Sequence, residues 1–164
     1  MILLTHALVG ASVANILSSN PYVAFGAALA SHYMIDAIPH RDYGEYFFSQ
    51  KNPEPVNYLF KDLKRFSQIF AMSIDILASI VLCTLIFFTD TSKIFITLVG
   101  VAGGILPDFL QLIYFLHKKE PFKTTQKFHE KIHALKPKSF IYGILTQVFI
   151  VIIFVGAYFL KRFL

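Results

Sequence analysis

From Ser139 to Leu160 the chain runs for 22 residues without a charged side chain, about the length an α-helix needs to cross a hydrocarbon core roughly 30 Å thick. Four further apolar runs stand at about Ile2 to Ser19, Pro21 to Ile38, Phe66 to Phe88 and Lys93 to Leu116. With 55% hydrophobic residues in 164, the expected architecture is an all-α polytopic membrane bundle. It has about five transmembrane helices in a single membrane-embedded domain spanning residues 1–164. The first two runs meet at Ser19-Asn20-Pro21, a turn signal that makes them an antiparallel hairpin. The hairpin either spans the bilayer or re-enters it, and both arrangements return the chain to the same side.

The N-terminal run lacks a basic leader and a small-residue cleavage pattern, and it reads as a retained helix. Cys83 is the single cysteine, which excludes disulfide and thiolate metal frameworks. The net charge of +5 comes from residues flanking apolar spans, so it points to membrane orientation and not to nucleic acid. With five spans, twelve of the fifteen Lys and Arg residues fall on the side holding the 41–65 and 118–138 loops, against Lys93, Lys161 and Arg162 on the other. The positive-inside rule places that richer side in the cytoplasm. Two basic amphipathic segments, "VNYLFKDLKRF" and the stretch from Lys118 to Lys138, are expected along the interface.

Ionisable groups are costly inside a bilayer and mark function by default. Asp36, Asp75 and Asp108 each interrupt one span. At 1.5 Å per residue the last two lie roughly 13 Å from the cytoplasmic end. His6 and His32 fall in the same half, and His40, His117, His129 and His133 stand in the loops above. No Lys or Arg lies within these spans, so a divalent cation is the simplest counter-charge for the carboxylates. The bland readings are specific: Asp75 as a neutral interhelical hydrogen-bonding group, His6 as an interfacial residue, His117 as a helix-end residue reaching for water beside Lys118 and Lys119.

Two motifs sharpen the metal expectation. In "SHYMIDAIPH", His32 and Asp36 are four residues apart and share a helix face, and Pro39 ends the helix so that His40 returns from the loop. Imidazole with carboxylate suits zinc, with manganese or iron as alternatives. "FHEKIH" carries H-E-x-x-H, the spacing with which zinc proteases present two imidazoles and a general-base Glu. A protease needs a third ligand downstream, and from Ala134 to Leu164 the sequence has no Asp, Glu or His. Glu130 then reads as a solvated partner for a neighbouring lysine, and His129 with His133 as a pair of ligands closing over the site.

"HYMIDAIPH" resembles a segment of the zinc-dependent phospholipase C and nuclease superfamily, in which His and Asp on one helix and a His after a Pro bind zinc. His129-x-x-x-His133 resembles the second ligand helix of that superfamily, with His133 where a Glu is usual. The chain as a whole is similar to bacterial membrane-bound metal-dependent hydrolases, through His6, "SHYMID" and "GGILPD" ending at Asp108. In this chain the S-H-x-x-x-D segment precedes Leu-Pro-Asp. The resemblance implies two or three zinc ions held by His6, His32, Asp36, His40, Asp108, His129 and His133, with Asp36 and Asp108 catalytic and Asp75, His117 and Glu130 as additional candidates. The implied activity is hydrolysis of a lipid or lipid-linked phosphate, whose headgroup Arg41, Lys61, Lys64 and Arg65 would attract. Two rivals use the same residues, as the binding site of a metal-ion carrier or as interhelical hydrogen-bond glue in a structural subunit.

Overall fold

In this computed structural model the described residues are 1–41, 63–88, 91–117, 119–133 and 139–164. The first helix, α1 (Leu3–Leu17), is apolar on every side, and a helix of that kind must be enclosed. Twelve of its fifteen residues are buried, so it forms the axis of the bundle. Around it pack α2 (Pro21–Asp36), α3 (Leu63–Phe87), α4 (Thr91–His117) and α6 (Phe140–Phe163), while α5 (Phe122–Ile132) lies against α4 and α2. The described residues contain no strand.

Among the described residues, three helices carry segments long and apolar enough to cross a membrane, at Ile69–Phe87, Lys93–Phe115 and Phe140–Phe163. The first two runs fold into shorter helices than the sequence suggests. At 15 residues, α1 spans roughly 22 Å. Its end is set at Ser18, where the backbone turns extended, and the next helix is started by Asn20, whose side chain accepts from the Tyr22 and Val23 amides at 3.0 and 3.4 Å. Pro21 follows at the first helical position, where its missing N–H costs nothing. At the other end α2 stops at Asp36, before Pro39. Of the segment "VNYLFKDLKRF", the residues from Leu63 onward begin α3. The rest, with Lys61, and the side chains of Lys64 and Arg65, lie outside the described residues.

Glycines bring the central helices together. A Cβ on Gly10 would lie 2.5 Å from the Gly100 carbonyl oxygen, and one on Gly104 would lie 2.5 Å from that of His6. Gly100 and Gly104, four apart, thus form the face of α4 that touches α1, the small-xxx-small device of membrane helix pairs. Gly103 turns to α2, where a Cβ would meet the Phe25 carbonyl oxygen at 2.7 Å. Pro107 removes one helical N–H from α4 just before Asp108.

The outward faces are apolar. Phe70, Leu77 and Leu85 on α3 and Phe149, Ile152 and Leu160 on α6 are exposed, as expected of surfaces that meet hydrocarbon. Inside, Ala7, Leu8, Ala11, Cys83, Phe87, Val101 and Tyr158 form a buried apolar cluster. Polar groups are paired at both ends of α1. Asp75 accepts from the Leu4 amide at 3.2 Å, Asn15 donates to Thr97 Oγ1 at 3.0 Å, and Lys161 donates to the Ile16 carbonyl.

Candidate metal centre

The start of α1, the end of α2 and the C-terminal half of α4 meet at one end of the bundle, under α5. His6 comes from the second turn of α1, His32 and Asp36 from the last two turns of α2, Asp108 from beyond the Gly104 contact, and His129 from α5. The Asp36 side chain is wholly buried. Its Oδ2 lies 3.0 Å from His32 Nε2 and 2.8 Å from His129 Nε2. Its Oδ1 lies 3.1 Å from His6 Nε2 and 3.6 Å from His40 Nε2. Asp108 closes the group from α4, 3.8 Å from His6 Nε2 and 3.9 Å from His32 Nε2, with its side chain 13% exposed.

Second contacts fix which ring nitrogens face inward. His32 Nδ1 is 2.6 Å from the Gly104 carbonyl oxygen. A carbonyl only accepts, so Nδ1 carries the proton and Nε2 is turned toward the carboxylates. The same logic holds for His40, whose Nδ1 donates to the Ile38 carbonyl at 2.6 Å. That arrangement, a backbone carbonyl behind an imidazole whose other nitrogen faces a carboxylate, is how proteins orient histidine toward a metal. The rings of His6 and His32 stack with centroids 3.8 Å apart, presenting both Nε2 atoms side by side.

The inward atoms are not satisfied by one another. His6 Nε2, His32 Nε2, Asp36 Oδ1 and Asp108 Oδ2 are buried and make no hydrogen bond among the described residues, whatever their proximity. No described Lys or Arg side chain pairs with Asp36 or Asp108. Among the described residues, the amino group of Met1 lies 3.6 Å from Asp36 Oδ1. One ligand atom each from His6, His32, Asp36 and Asp108 lies within 4.8 Å of every other, and Asp36, His40 and His133 form a second such group. Bonds of about 2.0–2.2 Å to a central ion hold its donors within about 4.4 Å of one another, so atoms at this spacing are close to ligand distance. These buried groups could hold a metal ion, with Asp36 shared between the two sets.

Of the two histidines of H-E-x-x-H, His133 belongs to the second set, while His129 stands outside both and approaches Asp36 from α5. His129 faces Asp36, and His133 Nε2 lies 2.8 Å from His40 Nε2. Glu130 is exposed and accepts from Gln126 Nε2 at 3.0 Å. His117 is exposed at the end of α4. Asp75 shares the depth of the cluster but is directed at the first turn of α1. Arg41 is exposed at the rim, its guanidinium 5.5 Å from the Phe140 ring centre.

One residue was missed by sequence reasoning. Gln147 of α6 accepts from the Ile2 amide at 3.0 Å and from Thr5 Oγ1 at 3.3 Å, and donates to the carbonyls of Arg41 and Gly143 at 2.9 and 3.0 Å. It ties the segments bearing His6 and His40 to α6, and its polarity inside an apolar run was the available signal. Gln147→Leu leaves these partners without their bonds, and we expect a loss of about 1–3 kcal/mol. Thermal unfolding in detergent, with metal content measured in parallel, checks this: metal content falls along with the melting temperature.

Comparison with models of known protein families, with curated proteins and with solved structures finds no match.

Proposed function

We propose that this protein is a membrane-embedded, metal-dependent hydrolase of phosphoester bonds, acting on a lipid or lipid-linked phosphate at the cytoplasmic leaflet of a bacterial inner membrane. The observation that carries the reading is the pre-oriented His32, held through Nδ1 by Gly104, facing the buried Asp36 and the partly exposed Asp108, neither with a Lys or Arg partner among the described residues. In this reading α3, α4 and α6 cross the bilayer, the α1–α2 hairpin supplies the remaining two spans, and α5 lies at the interface. The proposal takes two or three zinc ions as the resident metals, and its likeness to membrane-bound metal-dependent hydrolases rests on His6, "SHYMID" and "GGILPD".

A divalent ion so held supplies Lewis acidity and a water activated near neutral pH. The chain's own residues have distinct tasks. Asp36, with no exposed side-chain surface, fixes the ligand geometry. In this reading Asp108, the partly exposed carboxylate, would accept a proton from the attacking water or return it to the leaving group. Tyr33 and Phe128, edge to face at 5.0 Å, line the seam between α2 and α5 through which a lipid would approach.

The same geometry disfavours a carrier, which needs an open route to the opposite face. Beyond the cluster α1 is packed against α4 through Gly10 and Gly100, and Asn15 bonds across to Thr97. The test is headgroup release from mixed phospholipids by the reconstituted protein. Release stops on chelation, returns with zinc, and falls by about 10²-fold or more in Asp108→Asn. Full metal occupancy with no turnover of any phosphodiester refutes the reading. Metal uptake into sealed vesicles would point to the carrier, and peptide cleavage abolished by Glu130→Gln to the protease.

A further inference from the structure

On α5, Lys123, Lys127 and Lys131 recur every four residues and therefore lie along one line of the helix, and all three are exposed. The helix's opposite face buries Gln126 and His129. Between these faces Phe128 remains 53% exposed, although it packs against Tyr33. Met34, near the end of α2, and Ile38, just beyond it, are exposed apolar residues. A basic line beside an exposed aromatic is the pattern of a helix lying in a lipid headgroup layer. Its only acidic residue, Glu130, is engaged with Gln126.

From this juxtaposition we infer that the Lys123, Lys127 and Lys131 face of α5 docks on the anionic lipid surface, and that this docking seats His129 and His133 over Asp36. The inference rests on the metal-centre reading above and not on the reaction. The physical link is that α5 packs on α4 and reaches α2 through individual side chains, His129 at Asp36 and Phe128 at Tyr33. The two buried residues of α5, Gln126 and His129, are both polar, so the pose of the helix over Asp36 is open to what its outer face meets. Each lysine at an anionic surface shifts the docked-to-undocked balance about fivefold at low salt. Screening within a Debye length of about 10 Å at 0.1 M salt weakens the effect.

The chain has no tryptophan, so Phe128→Trp places a single reporter on α5. The full-length variant is reconstituted in nanodiscs of phosphatidylcholine alone or with phosphatidylglycerol, each containing brominated acyl chains. Quenching is expected to be stronger in the anionic discs and to fade in high salt. Lys123→Gln, Lys127→Gln and Lys131→Gln together flatten the lipid dependence, and the three Lys→Arg changes restore it. Zinc retention against a chelator should be severalfold higher in anionic discs, in the parent and the Arg variant only. Equal quenching in both lipids, no quenching, a response that survives the Gln changes, or lipid-independent zinc retention each overturn the inference. Lipid-dependent quenching and zinc retention without headgroup release would leave it standing while the hydrolase reading fell.

Discussion

Asp36→Asn protein is expected to unfold at the same temperature with and without zinc, whereas the parent chain gains stability from the ion. Asp36 contributes an oxygen to each of the two candidate ligand groups, so no other single change removes a donor from both. An ion at 100 times its dissociation constant stabilises the folded state by about 2.7 kcal/mol. For a chain of this size that corresponds to roughly 5–10 °C in melting temperature. The asparagine keeps the shape and one acceptor oxygen but loses the charge, so the increment should vanish while the apo protein still folds. Metal analysis of the detergent-purified protein is the companion measurement, with stoichiometric metal in the parent and little in the variant. An undiminished zinc-dependent shift in Asp36→Asn would show that the ligands lie elsewhere.

Much of this site was legible because ligand chemistry and helix periodicity are local. His32 and Asp36 meet on one face of α2, and Pro39 turns His40 back toward them, as four-residue spacing and proline geometry dictate. H-E-x-x-H was less legible. Spacing puts His129 and His133 on one face but cannot say that each would meet a different partner, or that Glu130 would turn to Gln126. Asp75 shows the same limit. Counting residues along α3 gives its depth, but its direction is set by how α3 rolls against α1, and it ends at the Leu4 amide and not in the cluster. The ends of α1 and α2 fell inside the apolar runs because backbone turns at Ser18 and after Asp36, and not polarity, terminate them.

The glycine seam should be as demanding as the ligands themselves. A methyl group on Gly104 would sit 2.5 Å from the His6 carbonyl oxygen and 3.4 Å from Gly10 Cα. The obstructing atoms are backbone, so α1 and α4 must separate to admit it. Overpacking of this kind typically costs about 1–3 kcal/mol. It also acts on the centre directly, since His6 belongs to the displaced turn and the Gly104 carbonyl orients His32. Gly104→Ala is therefore expected to lower both the melting temperature and metal retention. Gly26 and Gly156 supply the contrast, because a Cβ at either meets nothing within 4 Å. In those helix interiors alanine should be neutral or stabilising by roughly 0.5–1 kcal/mol. Thermal unfolding and metal analysis of the three variants side by side distinguish close helix contact from a general intolerance of alanine. Equal behaviour of all three would mean that the seam does not position the centre.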